Sequence, residues 1–162
     1  MMSAVMENEF QIELLLQANY RFEVHFPNTN VPELITDEDA PLGAEAGPSP
    51  GQLLGVAVAN CLAASLAFAL RKFKNDPGPL RARATVRLTR NEQKRLRIGH
   101  IAVDLHLPML AAQVQMLERI LAQFEDFCIV TQSIRTAIPV DVRVIDRAGA
   151  VLPLPAAAGP KA

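Results

Sequence analysis

Two cysteines, Cys61 and Cys128, are the residues of this chain best suited to chemistry. A thiol attacks as the thiolate, and an unassisted cysteine with a pKa of about 8.5 is mostly protonated at neutral pH. A reactive thiol here therefore needs help from its surroundings. Cys61 lies inside "GPSPGQLLGVAVANCLAASLAFALRKF", residues 47–73. With a helix starting near Pro50, Cys61 is about three turns in, beyond the first turn where the helix dipole acts strongly. Arg71 is roughly 15 Å farther along the axis and cannot serve from the same helix. Arg21, on the polar side of a predicted N-terminal strand, is the better candidate cation, provided that its own hairpin or a partner subunit's hairpin covers Cys61. Spacing alone leaves two readings open: a dithiol that meets across a helix interface, or two free, buried cysteines packed as small hydrophobes.

Other chemistries find less support. His25, His100 and His106 show no ligand spacing with either cysteine, so neither a metal nor another cofactor is expected. "RLTRNEQKRLR", residues 87–97, holds Arg87, Arg90, Lys94, Arg95 and Arg97 but no aromatic platform for a base. With a net charge of -1 there is no global attraction to polyanions, and the run reads as the wet face of a hairpin rather than a nucleic-acid site. His100, beside Gly99, reads as structural, and Asp37, Glu38 and Asp39 as solvated loop charges. Leu53 to Leu70 carries no charge and just reaches membrane-spanning length. Alanines at 57, 59, 63, 64, 67 and 69, with Gly55, Asn60 and Ser65, make it a core helix instead, and no membrane partner is expected. "MMSAVMENEF" has neither the basic start nor the apolar stretch of a secretory signal, which points to the cytoplasm.

The elements that must position the thiols follow from periodicity. Phe10, Ile12, Leu14 and Leu16 alternate with polar residues, as do Tyr20, Phe22, Val24 and Phe26, predicting a hairpin that turns near Ala18 and Asn19. Residues 27–49 read as connection. A long helix then runs from Pro50 to just before "NDPGP", with Leu54, Ala57, Cys61, Ala64 and Phe68 sharing an inward face. Ala82, Ala84, Val86 and Leu88 predict a strand. In the next strand the apolar phase flips at Gly99 and His100, which predicts a bulge. Pro108 opens a second helix whose stripe is Leu110, Val114, Leu117, Leu121 and Phe124, continued by Cys128. Val140, Val142 and Val144 mark a last strand. The domain is expected to be α+β, with an antiparallel sheet wrapped around two main helices. Its limits are residues 10–146, between an N-terminal extension (1–9) and a Pro/Ala-rich, disordered tail (147–162).

"LITDEDAPLGAEAGPSPGQLLGVAVANC" and "FCIVTQSIRTAIPVDVRVID" resemble, in that order, the two cysteine blocks of the OsmC/Ohr family, the osmotically inducible and organic hydroperoxide resistance proteins. The resemblance spans most of residues 10–146. It implies an OsmC-like fold in an intertwined homodimer and metal-free peroxidase chemistry on organic hydroperoxides. Cys61 would become a sulfenic acid, Cys128 would resolve it as a disulfide, and Arg21 would steady the thiolate. The implied reductant is a dithiol, in one branch of the family a lipoyl group on a carrier protein. The chain departs from the family in two places. Gly51 stands where the hydroperoxide-reducing branches carry a Glu that pairs with the Arg, leaving Glu45 or Gln52 as stand-ins. Ile129 stands where Pro usually follows the second cysteine. The first departure motivates an alternative, an OsmC-fold dimer without efficient turnover that binds a small molecule or senses redox state.

Overall fold

The N-terminal alternation folds into a three-stranded antiparallel sheet of β1 (Glu13–Ala18), β2 (Arg21–His25) and β3 (Leu34–Thr36), with β2 in the middle. The computed structural model describes residues 8–156 and divides into two units, Met1–Leu53 and Leu54–Ala162. Asn19, at φ 50°, makes the tight turn of the first hairpin, a conformation that Asn tolerates better than most residues. Only the edge at Leu34 to Thr36 was not expected as a strand. Val24 and Thr36 are the buried residues of the sheet, whereas Leu14, Leu15 and Leu16 are all exposed.

The loop after β3 is built on Asp37. Its carboxylate accepts the backbone N–H groups of Glu38, Ala44 and Ala46 at 2.8, 3.0 and 3.2 Å. Glycine is required where this loop closes on β3, because a Cβ at Gly47 would lie 2.0 Å from the Ile35 carbonyl oxygen. Ser49 and Gln52 then form a reciprocal cap: Ser49 N–H donates to Gln52 Oε1 at 2.9 Å and Gln52 N–H to Ser49 Oγ at 3.4 Å. With Pro50 in the first turn, this cap starts α1 (Pro50–Lys72) where the sequence predicts it.

In the second unit, β4 (Arg81–Arg90), β5 (Leu96–His106), β6 (Val140–Ile145) and β7 (Val151–Leu152) form one sheet in that order. Arg87 faces His100 and Leu88 faces Ile98, so Gly99 is the extra residue of the predicted bulge. The sheet is not purely antiparallel as expected. β5 and β6 run parallel, because the helical stretch between them carries the chain back across the sheet before β6 begins. α1 is long and apolar enough to span a membrane by length and composition alone. Its Val58, Leu62, Leu66 and Leu70 are instead fully buried in the core with Ile101, Val103, Leu105, Ile120, Phe124 and Val144. At Gly55 the helix closes on β4, where a Cβ would lie 2.9 Å from Val86 Cγ2.

Two further expectations need correction. The second helix is not continuous: a 3-10 turn at Ala111–Gln113, α2 (Leu117–Gln123), a second 3-10 turn at Phe124–Phe127 and α3 (Ile129–Ile134) replace it. Val114 is extended and Met116 takes a left-handed φ of 56°, which breaks the helix that the apolar spacing implied. The inward positions survive the break, since Val114, Leu121, Phe124 and Cys128 are all buried. The expected tail also folds in part. Asp146 accepts N–H groups from Ala148 and Ala150 at 2.9 Å each, turning the chain so that β7 pairs with β6 and buries Leu152. Residues 1–7 and 157–162, most of the predicted extension and the end of the predicted tail, lie outside the described residues.

Candidate functional site: two thiols beside an apolar cavity

Cys61 sits near the middle of α1, half-buried rather than turned fully into the core. The buried stripe of the helix runs one position around, through Val58, Leu62, Ser65, Leu66 and Ala69. This corrects the expectation that Leu54, Ala57, Cys61, Ala64 and Phe68 share the inward face: Ala64 is exposed and Phe68 is 62% exposed. The reason is the small-residue composition of α1. Alanines satisfy the packing on either side, so spacing alone does not fix the rotation of the helix.

That rotation places Cys61 on a cavity of about 400 Å³ lined by Ala64, Ser65, Phe68, Phe127 and Ile129. Cys61, Ala64, Ser65 and Phe68 follow one another at helical spacing. Phe127 and Ile129 flank Cys128 and close the opposite wall. Phe124 and Phe127 differ sharply, the first fully buried in the core and the second open at the cavity rim.

Cys128 is completely buried at the junction between the second 3-10 turn and α3. Its thiol donates to Thr131 Oγ1 at 3.0 Å, and Thr131 is itself completely buried. Burial pushes the Cys128 thiol above the ordinary range, the Thr131 hydroxyl opposes this, and a hydrogen bond with Cys61 pushes it up again. Cys61 shares its cavity with Phe127 and Ile129, the two residues on either side of Cys128, and both cysteines are free.

Arg21 belongs to the N-terminal unit, as the first residue of β2. It lines a cavity of about 100 Å³ with Ala18, Asn19, Asp37 and Ala44. Asp37 is buried, not one of the solvated loop charges expected from sequence. Burial works to raise its carboxyl pKa, but the N–H groups of Ala46, Glu38 and Ala44, together with the Arg21 charge, outweigh it and hold the value below the usual range. The carboxylate that Arg21 faces is thus one that sequence reasoning missed; the Gly- and Ala-rich loop around it, able to turn N–H groups inward, is the only signal that pointed there. The suggested stand-ins are otherwise engaged, Gln52 in the α1 cap and Glu45 in accepting Ala40 N–H at 3.4 Å. At Gly51 nothing lies within 4 Å of where a Cβ would be.

Two of the three histidines, His100 and His25, have partners of their own. His100 Nε2 meets Asp141 Oδ2 at 2.7 Å and its Nδ1 meets Arg87 at 2.9 Å, a bridge across β4, β5 and β6. His25 lies between Glu23 and Glu33 at 2.7 and 3.4 Å. Among the described residues this imidazole and its two carboxylates form the one group able to hold a metal ion, with donor atoms all within 4.8 Å of one another.

The chain is similar to a Legionella pneumophila organic hydroperoxide resistance protein OsmC, with 17% identity, TM-score 0.66, and 86% of this chain and 98% of that one covered. It is also similar to the organic hydroperoxide resistance protein OhrB of Bacillus subtilis, with 15% identity, TM-score 0.62, and 85% and 98% covered. An OsmC-like protein of Mycoplasma pneumoniae gives 13% identity, TM-score 0.68, and 87% and 99% covered. At such identities the likeness is one of fold. No curated protein matches the sequence. The family profile described as OsmC-like protein matches residues 43–143, from the glycine of the Asp37 loop through both cysteines to β6, and the chain belongs to the OsmC-like family.

Proposed function

We propose that the protein is a thiol-dependent peroxidase that reduces organic hydroperoxides. The observation that carries this reading is the pairing of two free thiols of unequal access, Cys61 on an apolar cavity and Cys128 fully buried beside it. A hydroperoxide entering the cavity meets Cys61 first, with Phe68, Phe127 and Ile129 to receive its organic part. The Cys61 thiolate attacks the O–O bond and becomes a sulfenic acid, while the alkoxide leaves and takes up a proton as alcohol. Cys128 then attacks the Cys61 sulfur, forming the disulfide and releasing water. An external dithiol, such as a lipoyl group on a carrier protein, returns both cysteines to the thiol state. Arg21, or Arg21 of the partner subunit, supplies the positive charge that keeps Cys61 ionised.

The working form in this reading is a cytoplasmic homodimer. The exposure of Leu14, Leu15 and Leu16, at 58, 60 and 55%, supports a partner that covers the hairpin. Gly51 favours the second reading, a dimer that binds small molecules or senses redox state without efficient turnover, because the first turn of α1 offers no carboxylate.

One experiment separates the two. Reduced protein is treated with one equivalent of cumene hydroperoxide, and free thiol and intact mass are followed. Loss of both thiols with a mass decrease of two hydrogens, abolished in Cys61→Ser, is the expected result. Thiols that survive minutes of exposure would overturn the peroxidase and leave the binding module.

A further inference from the structure

We propose that Thr131 is the positioning residue for the second half of the reaction, its hydroxyl holding the Cys128 sulfur toward Cys61 and steadying that sulfur as it gives up its proton. This rests on the peroxidase reading for its role in turnover, but not for the interaction itself. Cys128 is in a poor place for a nucleophile. It is completely buried, where forming an anion is opposed, and it lies next to a second thiol that opposes it further. Among the described residues, no cation is one of the groups that act on its ionisation.

What it has is Thr131. The Thr131 hydroxyl lies 3.0 Å from the Cys128 sulfur, three positions on and one helical turn away, and both residues are fully buried. The hydroxyl is the first of the groups that favour ionised Cys128, and the Thr131 backbone N–H acts in the same direction. A hydroxyl is suited to both stages because it can reverse its role. It accepts the S–H of the resting thiol and, by turning its own hydrogen, donates to the thiolate. In the resolving step the Cys128 sulfur bonds to the Cys61 sulfur, the S–O bond of the sulfenic acid breaks, and the departing hydroxide leaves as water with the Cys128 proton. Thr131 keeps its proton throughout, so its contribution is orientation and a hydrogen bond to charge, which in a dry site is among the stronger neutral-donor interactions.

The test uses full-length Thr131→Val, which keeps the shape and removes the hydroxyl, and Thr131→Ser, which restores it. Each is mixed with one equivalent of cumene hydroperoxide, with dimedone trapping sulfenic acid at timed intervals. Thr131→Val should consume Cys61 at the unaltered rate, accumulate the trapped Cys61 adduct, and form the disulfide about tenfold more slowly, equivalent to ~1.4 kcal/mol. Thr131→Ser should resolve as the parent does. In parallel, thiolate absorbance is titrated in the Cys61→Ser background, where no peroxide is involved. There Thr131→Val should move the Cys128 titration to higher pH, and Thr131→Ser should leave it in place. Unaltered resolution and an unaltered titration in Thr131→Val would overturn the assignment, as would a Thr131→Ser protein as slow as Thr131→Val. If peroxide leaves the parent protein's thiols intact, the peroxidase reading fails, and the titration still decides whether Thr131 governs Cys128.

Discussion

Two glycines one turn apart in α1 provide a controlled measure of how the cysteine-bearing helix is seated. At Gly51 an added Cβ meets nothing within 4 Å, so Gly51→Ala acts on the backbone alone. Alanine in place of glycine in a helix is worth about 0.5–1 kcal/mol. At Gly55 the added Cβ would lie 2.9 Å from Val86 Cγ2, with Ala84 Cβ at 3.9 Å. Carbon atoms prefer about 3.5–4.0 Å, so helix and strand must part by roughly 0.6–1 Å. Val86 cannot simply swing aside, because a β-branched side chain on a strand has few rotamers. Overpacking of this kind costs about 1–3 kcal/mol, from which the backbone gain of about 1 kcal/mol is subtracted. Gly55→Ala should therefore lose about 1 kcal/mol while Gly51→Ala gains somewhat less than that. For a chain of this size the two variants should melt about 3–8 °C apart. Thermal unfolding followed by circular dichroism, at one protein concentration so that self-association does not shift the midpoint, measures the separation. Equal midpoints, or a Gly55→Ala protein more stable than Gly51→Ala, would refute the close seating of α1 on β4.

Asp146 gives a pH test. The N–H groups of Ala111 and Ala150 hold its carboxyl below the usual 3.8 against an opposing effect of burial, so its contribution is complete above that value and fades as pH falls through the lower folded-state pKa. Asp146→Asn should therefore lower the urea midpoint at neutral pH and flatten its decline as pH falls below about 4; an undiminished acid slope would show that other groups carry it. Leu152→Ala should cost about 2–4 kcal/mol, since β7 buries this side chain to 8% exposure. Val151→Ala, at a position 55% exposed, should change the urea midpoint little, and equal midpoints for the two would mean that β7 does not pack.

Much of the architecture was legible because local chemistry and the final fold agree. Pro50 announces the start of α1, and the phase flip at Gly99 announces the bulge, where a glycine avoids a Cβ 2.4 Å from Thr89 Cγ2. The parallel pairing of β5 with β6 was not legible. Val140, Val142 and Val144 alternate identically in either direction, and only the path of the intervening chain decides which is adopted. β7 escaped for a related reason: two residues followed by prolines carry no periodicity, and what makes them a strand is the Asp146 turn, a set of backbone hydrogen bonds that composition does not announce.

The break in the second helix bears most directly on the site. Spacing from Val114 to Cys128 describes which side chains turn inward, and it is satisfied by one continuous helix or by short pieces that each present the same residues. The chain adopts the second solution, and the difference matters for Cys128. Within an unbroken helix its sulfur would point along a fixed stripe, hemmed in by the preceding turn. At the junction before α3 its backbone is extended, with φ -80° and ψ 94°. The thiol is thereby released from the helical stripe and meets the Thr131 hydroxyl one turn on, between the two residues that share a cavity with Cys61. The family resemblance led to the expectation of Pro after the second cysteine, a residue suited to ending one helical segment and opening the next. Here Ile129 follows Cys128, and the extended backbone is kept without it. The geometry that turns the Cys128 thiol out of the stripe is therefore supplied by tertiary packing, through buried Phe124, Cys128 and Thr131, rather than by a residue that a sequence motif would flag.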